Sequence, residues 1–443
     1  MNVIFVPQKS ESNLTTPNKH GESDSPQYDG IPESNIQPQI KPQLSFEQAC
    51  SLIGKLYGFQ DVVCLKEFIS YYNQNILIEA RRPYHQPGSP PEKFVLKLTN
   101  SEESQLFLLH QQQNEILLEL KKEGIPCCWP VQNAAGTDLS LEKLSFKHRE
   151  TGGSMTGSFI VRILGYIPGQ SSWDAPLLTP KICYEGGQLL GQLSTNLQNI
   201  SIDKTESIRR SEDLIWCLSN VPRLREYLFV LQDNKKRRVI EDVIDAFEEK
   251  VLKIEHKLRK GMIHSDFSEF NLLVRDRSLE ENFSDVTDDI KGDVVGIIDF
   301  DHMMYSCIVY DIAISIMYLM QCTNLQLDPV ESGGIRLAGF LSKRALTECE
   351  WRVLYYCVAA RFAQSLVIGL HTHSLQPQND YILSSQKKGW QVLFDFWERD
   401  AQDVYSQWRK QNQHYNQFPK EQPIDVCDIE KEEFNNNENN ERC

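Results

Sequence analysis

The apolar residues of this chain change their period at one point, and that change constrains the fold more than any other feature. Up to about Gly165 they come in short alternating runs that predict strands: Val62–Ile69, Ile76–Glu79, Phe94–Leu98, Ser140–Phe146 and Ser158–Leu164. Two segments there have helical spacing, Phe46–Tyr57 and Glu103–Glu123, the second stopped by Gly124 and Pro126. Beyond the turn Gly165-Tyr-Ile-Pro-Gly169 the spacing is helical over Ile182–Asn196, Arg223–Leu231 and Arg237–Lys260, ended by Gly261. It is helical again over Tyr310–Cys322, Leu337–Phe340, Glu348–Ile368 and Tyr381–Gln411. Inside this helical half lie two strand-like runs, Asn271–Val274 and Val294–Asp299, separated by an acidic loop from Asp276 to Asp293. The pattern predicts an α+β, bilobal chain, with a small β-rich lobe over 44–165 and a larger helical lobe over 166–417. A length of 443 residues, more than one core usually serves, agrees. Residues 1–43 and the acidic 418–443 have little to bury and are expected to be disordered tails.

Charge narrows the partners. A net charge of -15 argues against nucleic acid and anionic membrane surfaces, which reward basic patches. The twelve cysteines are scattered, with no CxxC pair and no zinc spacing, and Cys217, Cys307 and Cys357 sit in apolar runs as small hydrophobes. The N-terminal apolar run is too short for a signal peptide, and no stretch is read as long enough to span a bilayer. These features together predict a cytoplasmic protein without a membrane partner.

The chemistry concentrates between His264 and Asp311. His264-Ser-Asp266-Phe-Ser-Glu-Phe-Asn271 places an Asp and an Asn five positions apart ahead of an apolar strand. Twenty-eight residues after Asn271, a second apolar run ends in Asp299-Phe300-Asp301. If the two strands pair, Asp266, Asn271 and Asp299 surround one point. Those residue types serve phosphoryl transfer: a carboxylate to orient a hydroxyl and take its proton, and oxygen ligands for Mg²⁺ on phosphates. No G-x-x-x-x-G-K-[ST] and no G-x-G-x-x-G is present, which argues against a P-loop or a dinucleotide fold.

His264-Ser-Asp266…Asn271 followed by Ile298-Asp299-Phe300 resembles the aminoglycoside phosphotransferase and choline-kinase superfamily, relatives of protein kinases. The resemblance implies their bilobal fold, with Asp266 as the catalytic base, Asn271 and Asp299 as Mg²⁺ ligands, and GTP or ATP as donor. His264 would brace the loop. Asp311, in Tyr310-Asp-Ile-Ala, would have a structural role at a helix start. Ser70–Asn75, Val161–Gly169, Leu214–Pro222, Ala313–Met320, Arg361–Val367 and Gly389-Trp390 resemble the branch that phosphorylates 5-hydroxy-L-lysine from GTP, over about Ser45 to Gln411. The implied partners are a nucleotide and a small amino-alcohol or amino-acid substrate. Choline, ethanolamine or homoserine-like acceptors are the alternatives.

In the first lobe, Lys97 lies on a strand where the superfamily has its phosphate-pairing lysine, with Glu115 on the next helix as its ion-pair partner and Glu119 as competitor. The loop Ser70–Asn75 resembles a phosphate-covering turn, from which Tyr71 and Asn73 would reach the nucleotide. Gly165 and Tyr166 would offer backbone groups to the purine edge. The chain departs from the superfamily where Ser265 replaces the usual glycine, and where Asp301-His302 stands for Gly-Asp. These departures leave open a kinase-fold binding module without turnover. A phosphohydrolase built on His264, Asp266, Asp299, Asp301 and His302 would leave Lys97 unexplained. Glu269 and Asp301 are candidate carboxylates for a cationic amine on the acceptor.

Overall fold

The computed structural model describes residues 40–70, 72–83, 90–149, 151–275, 293–375, 383 and 386–416. The first lobe opens with helix α1 (Phe46–Tyr57), where Ser45 and Gln48 cap each other's backbone N–H groups and Gly58, in the left-handed region, ends the helix. Strands β1 (Gln60–Phe68), β2 (Gln74–Arg81) and β3 (Glu92–Leu98) follow, then helix α2 (Phe107–Lys122), β4 (Pro130–Val131), β5 (Ser140–Lys147) and β6 (Ser154–Gly165). They form one antiparallel sheet in the order β1-β2-β3-β6-β4, with β5 also pairing β6. The register sets Lys97 of β3 directly opposite Arg162 of β6. Ile76, Ile78, Phe94, Leu96, Phe159 and Val161 pack under α1 as this lobe's core.

Glu103–Glu123 is not one helix. Asn100 Oδ1 accepts the N–H groups of Glu102 and Glu103 and starts a short 3₁₀ turn over Glu103–Gln105, and the backbone breaks at Leu106 before α2 begins. Ile40, at the end of the expected tail, is tied to Ser101 through its N–H and C=O. Residues 1–39 of that tail and residues 417–443 lie outside the described residues, as does the acidic loop over 276–292.

The second lobe contains β7 (Gln170–Ser171), α3 (Pro180–Asn199), α4 (Thr205–Asp213), α5 (Asn234–Lys250), β8 (Lys260–Ile263), β9 (Leu272–Val274), β10 (Val294–Ile297) and β11 (Met304–Cys307). Five helices complete it: α6 (Ile308–Met320), α7 (Pro329–Leu341), α8 (Glu348–Leu375), α9 (Gln386–Trp397) and α10 (Ala401–Asn416). Thr179 caps α3 ahead of Pro180, an ordinary helix start. Helices α3 and α7 approach through glycine: a Cβ on Gly187 would fall 2.0 Å from the Arg336 carbonyl, and one on Gly339 2.0 Å from that of Tyr184.

Three helical expectations change. Arg223–Leu231 belongs to a 3₁₀ segment, Leu218–Val230, which contains Pro222. The helix predicted over Arg237–Lys260 ends at Lys250, and Gly261 lies in β8 instead of stopping a helix. Over the described part of Tyr381–Gln411 there are two helices, α9 and α10, where one was expected. Helix α8 is long and apolar enough to cross a membrane, contrary to the sequence reading, yet 89% of its apolar window is buried within the lobe. The ten described cysteines are free thiols, Cys217, Cys307 and Cys357 among them buried.

Candidate active site

Two hairpin-like pairings bring the distant motif residues together. Strand β9 pairs β10, with Leu272 opposite Ile297, and β8 pairs β11, with Ile263 opposite Met304. Asn271 and Asp299 therefore leave one end of the first pair, while His264 leaves the second.

Asp311 at the start of α6 grips the loop between them. Its two carboxylate oxygens accept the N–H groups of His264, at 2.8 Å, and Ser265, at 2.7 Å. That grip holds Ser265 at φ +65°, a conformation that favours glycine. The expected glycine is absent, yet the backbone shape it serves is kept. Burial pushes the Asp311 carboxyl up to about 6. The His264 ring accepts the Asp266 N–H on Nδ1 at 3.2 Å, which leaves Nε2–H to donate to the Ile298 carbonyl at 3.2 Å. Burial pushes this imidazole down to about 4, so it is neutral at pH 7. His264 and Asp311 brace the loop, as expected.

Asp266 faces the cleft with its side chain 19% exposed. Asn271 Nδ2 donates both to its Oδ2 and to its backbone carbonyl, each at 2.9 Å. Burial raises its pKa above the usual carboxylate range. Its other oxygen lies 3.6 Å from Nη2 of Arg361, a cation 1% exposed. Arg361 donates to the Trp216 carbonyl at 3.0 Å and lies over the Trp216 and Tyr318 rings. In the sequence Arg361 carries only a resemblance, within Arg361–Val367, and no spacing there assigns it a role. It lies ninety-five residues after Asp266, and no local spacing connects the two.

Asp299 sits at φ +63°, a strained position of the kind found at functional sites. Its Oδ1 accepts from Lys97 Nζ at 2.8 Å, and the carboxylate is 45% exposed toward the cleft. With the Asn271 amide nitrogen committed to Asp266, the remaining donors here are the Asn271 carbonyl oxygen and the Asp299 carboxylate. Both are hard oxygen donors, a set that fits Mg²⁺, which commonly takes one or two protein ligands and completes its shell with water and phosphate.

Lys97 is where expectation placed it, but its partner is not. Glu115 is exposed and beside Gln111 at 3.4 Å, and Glu119 is paired with Lys122. With α2 beginning at Phe107, the buried polar positions are His110, Gln113 and Asn114, and Glu115 lies on the exposed side of the helix with Gln111, four residues before it. Lys97 instead meets Asp301 at 2.6 Å, and Asp301 meets Arg162 at 2.5 Å. Burial acts to lower the Lys97 pKa, but Asp299 and Asp301 outweigh it and hold the ammonium above its usual value. Burial likewise acts to raise Asp301, and Lys97 with Arg162 outweighs it, holding that carboxylate well below its usual range.

Other expected site residues are placed as follows. Asn73 is engaged with the protein: its Nδ2 donates to Asp301 Oδ2 at 3.0 Å and its Oδ1 accepts from the Asn100 backbone and side chain. Tyr71 lies outside the described residues. The Gly165 N–H is donated to the Trp129 carbonyl at 2.8 Å, and the Trp129 ring occupies the space where a Cβ on Gly165 would sit. Gly165 and Tyr166 do lie at the connector, between β6 and β7. Neither carboxylate suggested for a substrate amine is available. Glu269 is fully buried against Arg336 at 2.7 Å, and Asp301 is held as described. Asp301 lies in a 3₁₀ turn, so no glycine-like conformation is demanded of it.

Residues 80–331 match the model of the phosphotransferase enzyme family. A hydroxylysine kinase from Mus musculus is 32% identical over 379 residues, covering 83% of this chain and 94% of that protein. One from Xenopus laevis is 33% identical over 354 residues, covering 80% and 90%. Among solved structures, a microcompartment-associated aminopropanol kinase superposes with a TM-score of 0.51 at 14% identity, over 83% of this chain and 97% of that one, which shows the shared bilobal fold. The family match spans more than half of the sequence and the relatives four-fifths of it, so the chain belongs to the phosphotransferase enzyme family and is a phosphotransferase.

Proposed function

We propose that this enzyme transfers the terminal phosphoryl group of GTP to the side-chain hydroxyl of 5-hydroxy-L-lysine, with Mg²⁺. The observation that carries the reading is the meeting of two sets of groups in one cleft. Lys97 reaches Asp299 from the first lobe at 2.8 Å, and Asn271 holds Asp266 at 2.9 Å in the second. Asp266 orients the acceptor hydroxyl and receives its proton as the oxygen–phosphorus bond forms and the bond to the β-phosphate oxygen breaks. Its raised pKa, tempered by Arg361, suits a group that must take and then release a proton. Lys97 pairs with the nucleotide phosphates. Mg²⁺, held by Asn271 and Asp299, would neutralise charge on those phosphates.

The acceptor rests on the named relatives, and the GTP preference on resemblance to the same branch. A coupled assay tests both, using GTP and ATP against hydroxylysine, choline, ethanolamine and homoserine, with and without a Mg²⁺ chelator. Hydroxylysine phosphorylated from GTP, and lost on chelation, is the expected result. Turnover of choline or homoserine alone would reassign the acceptor. Absence of transfer to every acceptor would overturn the reading, and nucleotide binding without product would mark a binding module.

A further inference from the structure

Kinase-type sites hold the phosphate-pairing lysine with a carboxylate from the helix behind it. That helix is α2 here, and it supplies none: its inward polar residues are His110, Gln113 and Asn114. The carboxylate comes from the opposite lobe. We propose that Asp301 is the positioning residue for Lys97, taking over the helix glutamate's part, with Arg162 as its fixed counter-ion. The proposal rests on the reading of Lys97 as the phosphate-pairing lysine.

The geometry supports this from four directions. Lys97 Nζ and Arg162 Nη2 approach different oxygens of Asp301, Oδ2 at 2.6 Å and Oδ1 at 2.5 Å, so the carboxylate is shared and cannot rotate without losing one partner. Asn73 Nδ2 also reaches Oδ2, at 3.0 Å. Gln113 of α2 donates to the Asp301 carbonyl at 3.0 Å, so the helix still holds this loop, through a neutral amide on the backbone. Asn114 accepts from Arg162 Nη1 at 3.1 Å and fixes the second cation. Every one of these groups belongs to the first lobe, and Asp301 to the second.

A division of labour follows. Lys97 also pairs with Asp299, an exposed carboxylate at a proposed metal position. When nucleotide enters, Lys97 can leave Asp299 for a phosphate and remain held by Asp301, which is buried and tied to Arg162. The Lys97–Arg162 register makes this possible, because side chains opposite each other on neighbouring strands lie on one face of the sheet. A glycine at 301 would leave the buried Arg162 without its anion and Lys97 with the exposed Asp299 alone.

A double-mutant cycle tests the proposal, read as the affinity for a fluorescent GTP analogue with Mg²⁺ and as kcat with the acceptor. Lys97→Ala and Asp301→Asn should each weaken nucleotide binding by about 10- to 100-fold, and the double variant should be no worse than Lys97→Ala. Glu115→Ala should bind and turn over as the wild type does. Losses that multiply in the double variant would overturn the proposal, as would normal binding in Asp301→Asn or loss in Glu115→Ala. Because Asp301→Asn leaves Lys97 facing Arg162, the cycle is repeated in an Arg162→Met background, where the same non-additivity is expected and its absence is equally damaging. Asp301→Gly with Gln113→Glu returns the carboxylate to α2 and should recover at least half of the lost affinity on a logarithmic scale. A wild type that binds no nucleotide would overturn the functional reading together with this proposal. A wild type that binds while the cycle is additive overturns this proposal alone.

Discussion

Replacing Arg361 with methionine removes a charge from behind the proposed base while filling most of the space. Arg361 is 1% exposed, and among the described residues its ion-pair partner is Asp266, at 3.6 Å. At an effective dielectric of about 20, two unit charges at that separation attract by about 4–5 kcal/mol. Water at the partly exposed carboxylate and the Asn271 hydrogen bond reduce what is felt, but the direction stands: the Arg361 charge lowers the Asp266 pKa. Burial already holds that pKa above the usual range, and Arg361 opposes it. Without Arg361 the carboxyl must therefore titrate higher still.

The sign is definite. The base acts when ionised, so the acidic limb of kcat/KM should move to higher pH in Arg361→Met, with a loss at pH 7 that shrinks as pH rises. Arg361→Lys keeps the charge without the planar fork and should move the limb less. Arg361→Met also leaves the Trp216 carbonyl and Gln364 Oε1 short of a donor, so the fold should weaken by about 2–4 kcal/mol. A pH profile of the folded variant therefore separates the two roles. An acidic limb that stays at its wild-type pH, with rate lost equally at every pH, would show that Arg361 only packs the lobe.

Other expectations follow from the same contacts. Asp299→Ala should abolish Mg²⁺-dependent transfer while leaving the thermal midpoint near that of the wild type, and Asp266→Asn should cut turnover far more than nucleotide affinity; full activity in either would remove that residue from the mechanism. His110 is buried, with no hydrogen-bonding partner on either ring nitrogen among the described residues, and burial pushes it down to about 3. Its contribution is therefore complete above about pH 6.5 and is lost as pH falls, by about 1.4 kcal/mol per pH unit. Denaturant midpoints from pH 7 to 5 should fall less steeply in His110→Gln, and parallel slopes would contradict the assignment. Arg336→Met strands Glu269 as a lone buried charge, which should cost about 3–5 kcal/mol; a loss below about 1 kcal/mol in urea titration would show that Glu269 is protonated in the fold. Ser265→Gly should stabilise by about 1 kcal/mol by relieving the left-handed backbone, with urea midpoints again the measurement.

The lobes were legible because alternating and helical spacings are periodic signals carried by many residues at once, and a misplaced boundary such as Arg237–Lys260 leaves them intact. Asp266, Asn271 and Asp299 were legible as candidates for a related reason: each sits beside an apolar strand in the sequence, and strand pairing brings the three together. What stayed hidden depends on which way one helix is turned. Moving the start of α2 from Glu103 to Phe107 is a small change in the sequence, governed by the Asn100 side chain and a break at Leu106. It nevertheless decides whether Glu115 or Gln113 faces the site, and so whether Lys97 finds its carboxylate on the helix or across the cleft. Position by position along the motif, Asp301 is a lost glycine, whereas in the fold it is a charge that balances Lys97 and Arg162. Once Arg162 stands opposite Lys97, the buried pair needs an anion, and Asp301 is the residue that can supply it from the other lobe. In this site, a carboxylate at 301 and the lack of one on the inward face of α2 are two parts of a single charge balance around Lys97 and Arg162.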